Sequence, residues 1–174
     1  RTLRFETIGC IGFDLDWTLA PYRRLPLEKL VFDLTVERLI ENHGYPEAAC
    51  RVTFRPEFPR RGLLIDKEAG TVLGMRRHRS GNLAFAGDEK LDREVLKRLY
   101  RYEPIRPSDE RFYHLDSLFE LPEANLYAEL TELSKEVDGI PRSSRQLFDD
   151  VRAAIDGVHR CGALKSRVLA EPAV

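Results

Sequence analysis

Nothing in this sequence is long and apolar enough to cross a membrane as a helix, which takes roughly 18–20 residues. No apolar signal-peptide core follows Arg1 either. Cysteine is scarce: Cys10, Cys50 and Cys161 are odd in number and lack the paired spacing of metal ligands. That pattern argues against a disulfide scaffold and reads as reduced thiols in a cytoplasmic protein. Neither sign of charge prevails, since the formal net charge is -1. This balance argues against a mainly electrostatic grip on nucleic acid, and neither nucleic acid nor a membrane is expected as a partner. Internal repeats and low-complexity tracts are missing too. What remains is a 43% hydrophobic content, enough for a buried core, and a 33% charged content that suits a solvated surface. At 174 residues this is one ordinary domain, or a core piece with an insertion.

The most informative stretch runs from Ile11 to Ala20, with the order Gly12-Phe13-Asp14-Leu15-Asp16-Trp17-Thr18 inside it. Thr7 to Phe13 reads as a short buried strand. In a strand, side chains two apart project to one side, so Asp14 and Asp16 would face one volume past its C-terminal end. Open α/β sheets bind ligands there. Two close carboxylates split their ionisation, so one can attack while the other holds a proton. Such a pair suits a hydrolase that transfers phosphate. The plainer alternative is that the acids merely close a strand and cap the next element. Two carboxylates repel a phosphate dianion by several kcal/mol at an effective dielectric of about 20. The chemistry therefore calls for a divalent cation, and hard oxygen ligands suit Mg²⁺.

Beyond this stretch, Pro21 and Pro26 bracket a loop, and the spacing of Leu27, Leu30, Val31, Leu34, Leu39 and Ile40 predicts a helix over 27–42 stopped by Gly44. Gly62 to Asp66, Thr71 to Met75 and Leu83 to Ala86 read as an antiparallel meander with turns at 68–70 and 80–82. A short helix is expected over 91–100, a loop around Pro104 and Pro107, and a brief strand over 112–115. Pro122-Glu123 opens a helix to about Val137. Ser143 or Ser144 caps a last helix over 145–161, with Gly162 as its stop.

That last helix holds a second constellation. Arg152 and Asp156 lie four apart on one face, and His159 follows one turn on. Val151, Ile155 and Val158 form the neighbouring apolar stripe, so the charged face borders the core. Lys165, just past the helix stop, could supply a point charge for phosphate. The competing reading is a solvated ion pair worth a few tenths of a kcal/mol. Arg76-Arg77-His78-Arg79 fits an exposed hairpin turn better than a nucleic-acid contact. Arg55, Arg60 and Arg61, among prolines, stay ambiguous. His43 and His78 read as surface residues and His114 as a candidate core residue.

The segment Gly12 to Ala20 resembles the first motif of the haloacid-dehalogenase-like hydrolases, in the branch of purine (IMP/GMP) 5′-nucleotidases. The likeness continues through 34–39, Gly44-Tyr45-Pro46 and Arg61 to Asp66. It resumes at Glu110 to Tyr113, at Leu118 to Glu123, and from Phe148 to Lys165. This resemblance implies an α/β fold: the start of a Rossmann-like core with a small antiparallel β meander and an inserted, mainly helical cap. Asp14 would be the nucleophile that forms an aspartyl-phosphate. Asp16 would protonate the leaving nucleoside oxygen and later activate water. Mg²⁺ would bind the Asp14 carboxylate and the Asp16 backbone carbonyl. The nucleotide-contacting arginine, aspartate and lysine of that branch fall on Arg152, Asp156 and Lys165. A nucleoside monophosphate is the implied substrate, and a homo-oligomer the expected assembly.

The later motifs of that family are absent, namely a Thr/Ser-Asn, a phosphate-binding lysine and a second acidic pair. The expected layout is core and meander over 1–88, a cap insertion over 89–150, and a helix returning to the core over 151–174. With Arg1 in place of an initiator methionine, and with one strand unable to finish a parallel sheet, the chain reads as the N-terminal part of a longer protein. Two other functions stay open on sequence: a phosphatase of another small phosphate ester, and a member of the same family that has lost catalysis and works by interaction.

Overall fold

The computed structural model describes residue 6 and residues 8–57, 62–75, 81–87, 89–100, 105–106, 109–115, 117 and 120–171. Thr7, Arg60, Arg61, the basic run 76–79, Ser80, Pro104 and Pro107 lie outside these.

Apolar residues at helical spacing give α1 (Arg24–His43), which buries Leu27, Val31, Phe32, Leu34, Val36 and Leu39. Gly44 ends it in the left-handed conformation, at φ 71°, which glycine adopts without steric cost. A 3-10 turn (Glu47–Arg51) follows. The meander then forms β1 (Leu63–Asp66), β2 (Thr71–Met75), β3 (Gly81–Ala86) and β4 (Glu89–Lys90). Next come α2 (Arg93–Tyr100), β5 (Phe112–Leu115), α3 (Leu121–Leu133), α4 (Ser144–Arg160) and α5 (Ala163–Ala170).

The five strands make one sheet in the order β4-β3-β2-β1-β5, antiparallel at every pairing. Leu63 pairs with Gly74 on one side and with Leu115 on the other. Alternation sorts the strand residues onto two faces. Leu63, Ile65, Val72 and Leu115 join the main core with α1, α3 and α4. Leu64, Leu73 and Ala84 form a second cluster, covered by Leu91, Leu96, Tyr100 and Phe112. Both faces of β1 are therefore dry, and all four of its residues are buried. This accounts for the unbroken apolar run at its start.

The most enclosed helix is α3. Every residue from Leu121 to Ala128 is buried, because α1, α4 and the sheet surround it. Beside it, α4 is amphipathic and turns Leu147, Phe148, Val151, Ala154, Ile155 and Val158 inward. The Ser143 hydroxyl caps it, accepting from the Gln146 amide at 3.4 Å.

Four sequence expectations change. Residues 8–14 have no regular structure, and Ile11 and Phe13 are 69% and 71% exposed, so of the strand expected over 7–13 the described part, 8–13, does not form. A strand is held by its neighbours, and no described strand pairs with this segment. The described molecule is thus mixed helix and antiparallel sheet, consistent with the α/β class and the antiparallel meander expected. The second change is at Gly162. It does end α4, at φ 77°, but α5 begins directly after it. Gly81 and Asn82 likewise belong to β3 and not to the turn before it. His114 is exposed and not part of the core. Among the described residues no helix is long and apolar enough to cross a membrane.

Candidate active site

Leu15 to Ala20 folds into a tight loop around one carbonyl. The Leu15 oxygen accepts from the amides of Thr18 at 3.4 Å, Leu19 at 3.0 Å and Ala20 at 2.8 Å. The Trp17 amide closes the loop on the Ala20 carbonyl at 3.1 Å. Trp17 sits at φ 60°, the one described non-glycine residue at positive φ. A bulky side chain there is strained, and such strain concentrates at functional loops. The Trp17 ring stacks edge-on against Tyr22, with centroids 5.6 Å apart, which helps fix the conformation.

Asp14 and Asp16 flank the start of this loop, and both are exposed. The Leu15 amide donates to Asp14 Oδ1 at 2.9 Å, and the Tyr22 hydroxyl donates to Asp16 Oδ1 at 2.6 Å. The second oxygen of each carboxylate carries no such bond. The neighbouring Asp16 carboxylate, through that hydrogen bond first, holds the Tyr22 hydroxyl above its ordinary pKa. Both carboxylates are hard oxygen donors of the kind that Mg²⁺ takes, one or two at a time beside several waters. Among the described residues no three His, Cys, Asp or Glu side chains gather to hold a metal.

Arg152 and Asp156 are bonded to each other at 3.1 Å, as their spacing on α4 requires. They are not a plain surface pair. The Arg152 guanidinium also donates to Glu123 Oε2 of α3 at 2.7 Å and lies 3.5 Å from Glu120. Its centre is 5.2 Å from the middle of the Tyr113 ring on β5. Tyr113 donates its hydroxyl to Glu120 Oε1 at 2.6 Å, and the Ser117 amide holds the other Glu120 oxygen at 2.9 Å. Three carboxylates thus converge on one guanidinium.

Glu123 is fully buried, and its Oε1 has no hydrogen-bond partner. Burial, only partly offset by Arg152, pushes its carboxyl up to about 7. Arg160 shares Asp156 at 3.2 Å, and His159 places Nδ1 2.9 Å from the Ile155 carbonyl. Lys165 is exposed on α5. The acidic loop and the Arg152 cluster are each bonded internally, with no hydrogen bond or ion pair between them among the described residues.

Sequence reasoning missed Glu120, Glu123 and Tyr113. The available signal was an acid inside the otherwise apolar run of α3, and it was masked by the habit of glutamate in first helical turns. A groove of about 140 Å³ between the 3-10 turn and α3 stands apart from both clusters. Its charges are already paired, Arg55 with Glu129 at 2.7 Å and Arg51 with Glu136 at 3.4 Å.

A model of the 5′ nucleotidase family matches residues 1–174. The chain belongs to the 5′-nucleotidase family. It is 28% identical to a 5′-nucleotidase domain-containing protein of Dictyostelium discoideum, over 97% of this chain and 29% of that one. It is 29% identical to human 5′-nucleotidase domain-containing protein 1, over 92% of this chain and 38% of the relative. The bovine protein of the same name is 26% identical over the same shares. The chain thus spans about a third of the length of these curated relatives.

Proposed function

We propose that this chain supplies the nucleophile and the base-recognition cluster of a Mg²⁺-dependent phosphatase of nucleoside 5′-monophosphates, with purines preferred. It would belong to a haloacid-dehalogenase-like core, most of which lies in other residues. The observation that carries this reading is the strained, carbonyl-centred loop that follows Asp14 and contains Asp16, in a chain of this family.

An Asp14 carboxylate oxygen attacks phosphorus, and the bond from phosphorus to the nucleoside 5′ oxygen breaks. Asp16, protonated, gives its proton to that leaving oxygen. As a carboxylate it then takes a proton from water, whose oxygen attacks phosphorus and frees Asp14 and phosphate. Mg²⁺ held beside Asp14 and Asp16 supplies charge neutralisation, without which the acids would repel the phosphate. Arg152 presents donors beside the Asp156 acceptor. That pairing is complementary to the 6-oxopurine edge, where a carbonyl oxygen adjoins an N–H. Lys165 provides a point charge toward the phosphate. Three unpaired, exposed thiols suit a reducing compartment such as the cytoplasm.

The experiment is a substrate panel on the full-length protein with Mg²⁺: IMP, GMP, AMP and small sugar phosphates. Hydrolysis of IMP and GMP is expected, with loss of at least roughly 10³-fold in the Asp14→Asn variant. Turnover of the sugar phosphates alone would assign the site to another phosphate ester. Equal rates with and without Asp14 would refute the mechanism.

A further inference from the structure

Arg152 is the half-buried cation of a cluster with an unusual balance. Glu120, Glu123 and Asp156 all lie within 3.5 Å of its guanidinium nitrogens. Asp156, one third exposed, shares its charge with Arg160 at the surface. Glu120 is tied to Tyr113 and to the Ser117 amide. Glu123 differs from both. It is fully enclosed on α3, one oxygen meets Arg152 at 2.7 Å, and the other meets no donor at all. A buried carboxylate with an empty oxygen costs free energy, so packing alone gives no reason to keep a glutamate there.

We infer that Glu123 is a positioning residue: by gripping one guanidinium nitrogen it holds Arg152 between the Tyr113 ring and Asp156, so that the arginine is pre-set for the base of the substrate. The inference rests on the reading of Arg152 as a base-recognition residue. Without the Glu123 anchor, the long arginine side chain regains its rotamers and must be ordered again by each incoming substrate. Glu123 and Glu120 meet one guanidinium nitrogen, Asp156 meets the other at 3.1 Å, and the Tyr113 ring centre lies 5.2 Å from the guanidinium carbon. An internal carboxylate can thereby set the direction of a cation without touching the ligand.

The anchor also responds to pH. The charged groups facing Glu123 are Arg152 and Asp156 from α4 and Glu120 at the head of α3, with the Tyr113 hydroxyl from β5 bonded to Glu120. Burial sets the Glu123 carboxyl at about 7. Above that it is a carboxylate and grips Arg152; below it the acid is neutral and the grip weakens. Glutamine imitates the neutral acid in shape and charge.

The test compares KM for IMP with KM for ribose 5-phosphate, which has a phosphate and no base, in the full-length protein with Glu123→Gln and Arg152→Met. Glu123→Gln is expected to raise KM for IMP about tenfold at pH 8 and by less than twofold at pH 6, with kcat and the ribose 5-phosphate KM within twofold throughout. A rise that is the same at both pH values, or that also affects ribose 5-phosphate, would mark Glu123 as merely structural and overturn the inference. If Arg152→Met raises KM for IMP while Glu123→Gln does not, the anchor is refuted and the base-recognition reading stands. If Arg152→Met leaves KM for IMP unchanged, that reading falls and this inference with it. Should Glu123→Gln fail to fold, the wild-type KM ratio of the two substrates between pH 6 and 8 serves instead, and a flat ratio is the overturning result.

Discussion

Asp66, Glu28 and Glu123 are three buried carboxylates with three different surroundings. Asp66, at the end of β1, is fully satisfied. Arg111 grips it through two nitrogens at 2.9 and 2.7 Å, Tyr100 donates at 2.8 Å, and the amides of Glu68 and Ala69 each donate at 3.0 Å. Burial alone would raise its pKa, but these donors, Arg111 foremost, outweigh burial and hold it below the usual carboxylate range. Its stabilisation is therefore complete above the unfolded pKa of about 4 and is lost as pH falls through the folded value. Replacing Arg111 by Met would strand the charge and cost about 3–5 kcal/mol at pH 7; urea unfolding measures this, with a smaller loss expected in acid.

Glu28 is the opposite case. It is 3% exposed, neither oxygen has a hydrogen-bond partner, and its nearest cation is Arg24 at 3.7 Å. Burial raises its pKa despite Arg24. The sign follows: its contribution is fully present below the unfolded pKa and lost as pH rises through the raised folded value. Glu28→Gln should accordingly stabilise the protein by about 1 kcal/mol at pH 7 and have little effect at pH 4, as thermal unfolding at the two pH values would show.

At the scale of elements, alternation and helical spacing carried most of the information. The helix α1, the strands β1, β2 and β5, and the Ser143 cap all follow from local pattern, because each buries its apolar residues against a neighbour close at hand. Residues 8–13 depart from the expected strand for a physical reason. Their apolar content is that of a buried strand, yet burial depends on partners that the pattern itself does not contain, and here the side chains are exposed. The second helix after Gly162 was hidden because a left-handed glycine serves equally to stop one helix and to turn into another. Glu123 was hidden because the first turn of a helix is an ordinary place for glutamate; only tertiary burial gives it meaning. The pairing of Arg152 with Asp156 was legible from their spacing, while the other carboxylates converging on Arg152 were not.

One turn ties the sheet to the helices. Gly70, between β1 and β2, has φ 68°, and a Cβ there would meet Ser144 Oγ of α4 at 2.7 Å. Gly70→Ala should thus cost about 1–3 kcal/mol, combining strain with displacement of the α4 N-terminus. A loss below 0.5 kcal/mol in chemical denaturation would mean that the turn and α4 do not meet as described.

For the whole molecule, the parts of the candidate site divide between an exposed acidic loop and a closed ionic cluster. In and just before the loop, Ile11, Phe13, Leu15 and Leu19 are all more than half exposed, and the relatives are some three times as long as this chain. Phosphate monoesters resist uncatalysed hydrolysis so strongly that accelerations can reach about 10²¹-fold. Two carboxylates without further cationic and acidic help should fall far short of that. The 174-residue chain by itself is therefore expected to turn over IMP at a negligible rate, and ordinary enzymatic turnover by it would contradict this division.

The most direct test is to capture the phosphoryl group. The full-length protein is mixed with Mg²⁺ and labelled IMP, quenched in acid within one turnover, digested, and read by mass spectrometry. The label is expected on the peptide that contains Asp14, and it should be absent in Asp14→Asn. A label on another residue, or brisk hydrolysis by Asp14→Asn with no phosphorylated peptide, would show that Asp14 is not the nucleophile.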